Sequence, residues 1–263
     1  MSGWQDFELE CTDYLNDVFG DYATFYHEGG SDSTIPDIKV EINKNRIFYI
    51  DAKHCPAQCG QFVLLPDILT RTFEYSRLNV NKINAHAIKI IEFMNGDFNE
   101  FREAGTAGKD INMQNGSQIF SDWIIQTYKE KGVRLFITND FRIIDIDDFS
   151  RYFNVSAKYR IKRSGSSSIG KSRLSVISAY LKNNFRSISS IKTEGDKLFV
   201  TSSVGLHNTR FVYGEYEYMI SDRGSKYEVR KLSNTYNANV IFSIDLKNGR
   251  PGLSDSEFIN FLK

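Results

Sequence analysis

The sequence predicts a mixed α/β fold over roughly its first 150 residues, followed by a β-rich region that carries an inserted small α/β segment. Three observations carry this expectation. Apolar residues recur at helical spacing in the first twenty positions, two alternating runs lie between residues 36 and 53, and helix and strand patterns interleave up to Asp148. Beyond Asp148, short alternating runs separated by Gly-containing turns dominate.

Taken in order, Phe7, Cys11, Tyr14, Leu15, Val18 and Phe19 make one apolar stripe of a helix that Gly20 ends. Pro36–Ile42 alternates as a strand, Lys44-Asn45-Arg46 breaks it, and Ile47–Lys53 forms the next strand. Helices are expected around Ala85–Phe93 and Phe120–Lys129, and strands at Val133–Thr138 and Arg142–Ile146. Tyr159–Lys162 reads as a strand, Ser164–Ser168 as a flexible loop, and Leu174–Phe185 as a basic amphipathic helix. From Ile188 onward the pattern is one of short strands, with turns at Glu194-Gly195-Asp196, Asp222-Arg223-Gly224 and Lys247-Asn248-Gly249. The expected domains are 1–150, then 151–165 together with 223–263, with 166–222 as the insertion.

Composition limits the function classes. Hydrophobic residues are 41% and charged residues 25%, an ordinary globular balance. Three cysteines, an odd number, argue against a disulfide framework. No leader pattern and no apolar run of about 20 residues occurs, so the expectation is a cytoplasmic protein. The net charge of zero conceals segregation. Ten Lys or Arg and no Asp or Glu lie between Phe149 and Thr193, leaving 23 bases against 33 acids elsewhere. An acid-free basic stretch of this length is the electrostatic footprint of a polyanion-binding surface.

The hairpin of residues 36–53 carries the chemistry. Ile38, Val40 and Ile42 form one face of the first strand, and Phe48, Ile50 and Ala52 one face of the second. Pairing Ile42 with Phe48, Val40 with Ile50 and Ile38 with Ala52 brings the apolar faces together. That register sets Asp37 opposite Lys53 and Asp51 diagonally from Asp37, at roughly 5–8 Å. Two carboxylates and one ammonium at this spacing suit Mg²⁺, which takes oxygen ligands at ~2.1 Å and needs only one or two carboxylates when phosphate and water complete its shell. Lys53 would favour an ionised water and neutralise charge growing on phosphate.

Pro36-Asp37, thirteen intervening residues and Asp51-Ala52-Lys53 resemble the motif of the PD-(D/E)xK nuclease superfamily. Further stretches are similar to the HhaI-like group of type II restriction endonucleases: Phe7-Glu8, Gly29-Gly30-Ser31-Asp32-Ser33, Gln58–Leu64, Tyr152–Ser156, Tyr159–Lys162 and Leu232–Ile244. The fit is poorest between about 166 and 222. The resemblance implies a PD-(D/E)xK core with a mixed central sheet flanked by helices in 1–150, and a sequence-recognition domain in 151–165 and 223–263. The 166–222 insertion would grip DNA nonspecifically. It also implies Mg²⁺-dependent cutting of double-stranded DNA at GCGC with 5′-phosphate products, alongside a cognate DNA methyltransferase. Carried over by position, Asp37 and Asp51 become metal ligands with Ala52 between strand acid and lysine, and Lys53 the water-orienting base or electrostatic stabiliser. Glu8 matches a helix acid used near the metal; a solvated helix glutamate is the other reading. Asp51 stands where the similar enzymes have Glu. Gln61 reads either as a contact to the scissile phosphate or as a cap on a following helix.

Guanine edges in the major groove are best read by Arg and Lys, with Asn and Gln adding contacts. Arg160 and Lys162 share a strand face beside Arg163 and Ser164, and Asn234, Asn237 and Asn239 crowd one polar turn. These two segments are expected to meet and read bases. Lys171, Arg173, Lys182 and Arg186 are expected to hold phosphates. Tyr159, Tyr213 and Tyr227, set among basic residues, are candidates to line the DNA backbone.

Two rival readings remain. Gly165–Ser172 matches the GxxxxGK[ST] phosphate-loop pattern, with Lys171 as its lysine, which would make the chain a P-loop NTPase. The charged Tyr159–Arg163 strand argues against this, because central parallel strands are buried on both faces. A non-catalytic DNA-binding protein on a nuclease-like fold is the second rival. His54, Cys55 and Cys59 lack the fourth ligand that structural zinc requires.

Overall fold

A computed structural model describes residues 3–30, 35–43, 45–67, 69–163, 165–207, 209–232, 236–247 and 249–263, with the side chains of 162, 163, 236 and 237 outside that description. The chain forms two compact units, residues 1–160 with 238–263, and residues 161–237. These divisions fall elsewhere than the 150, 165 and 222 suggested by the sequence. The reason is a sheet described below, whose two long strands carry the chain out to the second unit and back.

The first unit runs α1 (Gly3–Phe19), β1 (Thr24–His27), β2 (Ile38–Ile42), β3 (Arg46–Lys53), β4 (Ala57–Asp67) and β5 (Thr72–Tyr75). It continues with α2 (Ala85–Gly96), α3 (Phe98–Arg102), β6 (Lys109–Asp110), α4 (Gly116–Glu130), β7 (Val133–Thr138), β8 (Arg142–Asp145) and α5 (Phe149–Tyr152). β9 (Phe153–Arg163) leads into the second unit, which holds β10 (Ser166–Ser167), α6 (Leu174–Asn184), β11 (Ile188–Glu194), β12 (Lys197–Ser202), β13 (Arg210–Tyr213), β14 (Tyr216–Asp222) and β15 (Tyr227–Leu232). β16 (Tyr236–Leu246) returns to the first unit, which ends with α7 (Asp255–Leu262).

The central sheet has the order β1-β2-β3-β7-β8, with β3 and β7 parallel and the other pairs antiparallel. This is the expected mixed sheet flanked by helices. Alternation assigns its two faces. Ile38, Val40, Ile50, Leu135 and Ile137 pack against Phe7, Cys11, Leu15 and Phe19 of α1 and Phe258 and Leu262 of α7. The opposite face carries Asp51 and its β7 partner Phe136, whose ring meets Tyr128 of α4. A second sheet of the order β5-β4-β16-β9-β6 includes the strands that carry the chain out and back.

Three expectations of the sequence are corrected here. The β2–β3 register pairs Ile42 with Arg46, Val40 with Phe48 and Ile38 with Ile50, two residues from the one expected. The apolar faces still meet, but Asn43 takes a left-handed φ of 50° and starts the turn one residue early. Arg46 therefore belongs to the strand, where its guanidinium donates to the Phe261 carbonyl at 3.0 Å; Lys44 lies outside the described residues. Second, Ala57–Asp67 is an eleven-residue strand and no helix follows Gln61, so the cap reading of Gln61 fails. Its alternation is broken because Gly60, at φ 89°, accommodates an extra residue: Ile241 pairs with Gln61 and Ser243 with Gln58. Third, α7 was not expected, although Ser254 and Glu257 form a complete capping box at its start.

In the second unit α6 buries Ile177 and Leu181 against Leu198, Val200, Ile220 and Val229 of an antiparallel sheet ordered β11-β12-β15-β14-β13, with β10 on β15. Here the phosphate-loop reading fails. Ser166 and Ser167 are paired in β10, Ile169 is buried, and the Gly170 N–H donates to the Asp196 carbonyl at 3.2 Å. The Gly170 amide a phosphate would need is thus directed elsewhere, and no parallel strand precedes α6 among the described pairings of this unit.

Gly60 supplies a direct check on the β4 irregularity. A Cβ there would sit 2.8 Å from Cζ3 of Trp123 at a φ that side chains rarely adopt. Gly60→Ala is expected to lower stability by about 1–3 kcal/mol in denaturant unfolding; an unchanged midpoint would show that the strand is not bulged there.

Candidate functional site

Asp37, the residue before β2, and Asp51, near the end of β3, are drawn together by backbone geometry. Extending the observed register by one step sets them across from each other. The Asp37 carbonyl accepts from the N–H groups of both Glu28 and Gly29 at 2.9 Å. Its side-chain Oδ2 accepts from the Ala52 N–H, also at 2.9 Å. Lys53 Nζ lies 3.3 Å from Asp37 Oδ2, forms an ion pair with Asp51 Oδ1 and donates to the Ala52 carbonyl at 3.2 Å. Ala52 thus contributes both of its backbone polar groups to fixing the two charged neighbours.

Burial shapes the ionisation of this group. Desolvation, then the neighbouring Asp37, raise the Asp51 carboxyl to about 7, against the pull of Lys53. Burial disfavours the Lys53 charge, but Asp51, then Tyr128 and Asp37, act against it and the ammonium is held well above its usual range. Glu8 is raised by burial and by Asp37, while its hydrogen bond with His27 at 3.2 Å opposes the rise. Gly29 lies close beside it, and a Cβ there would meet Glu8 Oε2 at 2.5 Å, so any larger residue would displace the carboxylate end of Glu8.

A cavity of about 640 Å³ opens over this cluster. Glu8, Asp37, Asp51 and Lys53 line it, with Gln58 and Gln61 from β4 and Trp123, Tyr128 and Lys131 from α4 and its end. Gln61 is exposed and accepts from Gln58 at 3.3 Å. Glu8, Asp37, Asp51, Lys53 and Gln61, named from sequence, therefore share one cavity. Among the described residues no three His, Cys, Asp or Glu side chains gather into a metal-binding group. Two carboxylates facing an open cavity nevertheless meet the needs of a hard cation that keeps most of its waters. Cys11, Cys55 and Cys59 are buried free thiols.

Sequence reasoning missed Lys131. It caps the C-terminus of α4, and Gly132 at φ 84° turns the chain there. Its ammonium lies 5.5 Å from the Tyr128 ring centroid, and that of Lys53 lies 6.0 Å from the same ring. Two cations thus share one aromatic ring beside the carboxylates. Nothing in the local pattern distinguishes Lys131 from Lys129; only the end of the helix does.

The proposed base-reading residues are less gathered. Arg160 on β9 and Asn239 on β16 belong to neighbouring strands, and Arg160 Nε and Asn239 Oδ1 are buried without hydrogen-bond partners. Ser164 and Asn234, and the side chains of Lys162, Arg163 and Asn237, lie outside the described residues. Tyr159 is not a DNA-lining residue: it is fully buried, and its hydroxyl donates to the Leu64 carbonyl at 2.9 Å. In the second unit Lys171, Lys182 and Arg186 are exposed, whereas Arg173 stacks 4.0 Å over the Tyr216 ring.

The solved structure of HhaI endonuclease in complex with DNA (pH 6.0) is similar to this chain, at 39% identity with a TM-score of 0.67 over 98% of this chain and 95% of that one. No protein-family model matches the chain, and no curated protein does. No helix among the described residues is long and apolar enough to cross a membrane.

The ionisation of Asp51 predicts a pH dependence. Its carboxyl titrates at about 7 in the fold and at about 4 in an unfolded chain. The folded protein therefore binds that proton more tightly. The resulting stabilisation is complete below about pH 4 and is lost as pH rises through about 7. Asp51→Asn should raise the melting temperature of the metal-free protein at pH 8 and change it little at pH 5, measured by calorimetry in chelator. An equal shift at both pH values, or a fall at pH 8, would contradict this.

Proposed function

The chain belongs to the HhaI-like restriction endonucleases and is a nuclease acting on DNA, and from that membership we propose that it hydrolyses double-stranded DNA at GCGC with Mg²⁺, through Asp37, Asp51 and Lys53. The observation that carries the reading is the convergence of these three side chains in one cavity of a chain with this relationship. Asp37 and Asp51, with Glu8 and the Ala52 carbonyl as further candidates, would hold the cation. When bound, Mg²⁺ supplies positive charge to the phosphate and acidifies water.

The remaining work falls to the protein's own groups. Hydrolysis forms a bond from a water oxygen to phosphorus as the bond to the 3′-oxygen breaks, leaving a 5′-phosphate and a 3′-hydroxyl. Negative charge grows on the phosphate oxygens during this step. Lys53, kept protonated chiefly by Asp51 with Tyr128 and Asp37, orients water and faces that charge as an electrostatic stabiliser. Lys131 brings a second positive charge to the same cavity. Gln61, exposed on β4 at the wall of the cavity, would touch the scissile phosphate. Arg160 and Asn239, on neighbouring strands, would read guanine and its partner with Lys162, Arg163, Ser164, Asn234 and Asn237. Lys171, Lys182 and Arg186 would grip phosphates, with Arg173 at the edge of that surface. A cognate methyltransferase would protect the host's own sites, and a cytoplasmic location fits that pairing.

The test is digestion of a defined plasmid with purified protein and Mg²⁺, with the ends mapped. Cuts confined to GCGC with 5′-phosphate ends are expected. Asp37→Ala, Asp51→Ala and Lys53→Ala should each lose at least about 10²–10³ in rate while retaining duplex binding. Lys131→Ala should lower kcat about tenfold or more, with Lys131→Arg recovering part of it. Undiminished cutting by any aspartate or Lys53 variant would move the site elsewhere.

A further inference from the structure

The segment Ser76–Asn84, between β5 and α2, walls the same cavity through Leu78, Asn79, Val80 and Asn81. It contains no helix or strand, yet it is tied down closely. The Ser76 N–H donates to the Val63 carbonyl at 3.1 Å. The Asn79 side chain clamps both backbone groups of Val63, accepting from its N–H at 2.7 Å and donating to its carbonyl at 2.9 Å. The Tyr75 hydroxyl donates to the Asn81 carbonyl at 2.9 Å. A segment held this way has its side chains placed before any partner arrives.

What it places in water is unusual. Leu78 is 90% exposed and Val80 72%. Arg77 and Lys82, both exposed, flank the pair, and residues 76–91 contain no Asp or Glu. An apolar tip between two cations matches a nucleic-acid groove, with phosphates on its rims and sugar faces and base edges between them. It matches a second copy of the chain poorly. A two-fold contact sets the same patch against itself, bringing the cations near their own mates.

We propose, resting on the nuclease reading above, that Ser76–Asn84 is a DNA-contacting arm of the first unit. Leu78 and Val80 enter a groove of the duplex beside the scissile phosphate, and Arg77 and Lys82 hold the flanking phosphates. The arm gives the catalytic cavity a grip on DNA separate from the basic stretch of residues 149–193.

Plasmid digestion by the unmodified protein is read first, because its failure would sink the nuclease reading and not the arm specifically. Duplex binding is then titrated without divalent metal at several salt concentrations. Leu78→Ser with Val80→Ser should weaken binding about tenfold or more with the salt slope unchanged. Arg77→Ala with Lys82→Ala should instead reduce the log–log slope by about 2. Leu78→Met should bind as the parent does, and thermal melting should be unchanged for all four exposed positions. As an independent reading, maleimide labelling of Leu78→Cys should slow at least several-fold when duplex is added, while Val18→Cys on the outer face of α1 should not. Parental affinity of the double serine variant together with an unprotected thiol would overturn the arm. So would a free dimer that Leu78→Ser dissociates, which would make this surface a self-association face.

Discussion

Two buried carboxylates and a half-buried ammonium gather at the ends of β2 and β3, and the rest of the first unit is arranged to permit this. Asp37 is restrained from both sides, through its carbonyl by Glu28 and Gly29 and through its carboxylate by Ala52. Lys53 then spans both acids. Leaving either charge unpaired at this depth would be strongly destabilising, and pairing them merely offsets desolvation. The cluster is therefore a site the fold tolerates, supported by an apolar face directly behind it where Ile38, Ile50 and Leu135 meet α1 and α7.

That support explains the order of the chain. The β2–β3 hairpin contributes one face to a closed core and the other to a cavity. α4 closes the second face with Tyr128 and delivers Lys131 at its C-terminal cap. β4 completes the wall, and its bulge at Gly60 leaves room for Trp123. The second unit has its own core around Ile177, Leu198 and Ile220, and joins the first through strands that belong to one sheet.

Much of this was legible in the residues. Alternation assigned the faces of β2 and β3 correctly, so Asp37, Asp51 and Lys53 converge even though the register differs by two. Register depended on the left-handed Asn43 and on an Arg46 contact to Phe261, which lies 215 positions away. No local pattern carries such information. β4 was obscured because one glycine shifts the inside–outside alternation within it, and Lys131 because its role comes from where a helix stops. The Gly165–Ser172 match, already disfavoured by the charged strand before it, shows the same limit: the letters of a phosphate loop are present, but Ser166 and Ser167 pair with β15. The division into compact units at 160/161 and 237/238 is likewise not a local property, since it falls inside the continuous strands β9 and β16.

The central claim is that Asp37 and Asp51 jointly hold the catalytic cation. The most direct measurement is anomalous diffraction from crystals grown with DNA and Mn²⁺ in place of Mg²⁺. The account predicts an anomalous peak within about 2.0–2.5 Å of a carboxylate oxygen from each aspartate, lost in crystals of Asp37→Asn. A peak held by other side chains, or DNA bound across the cavity with no metal between these two carboxylates, would contradict it.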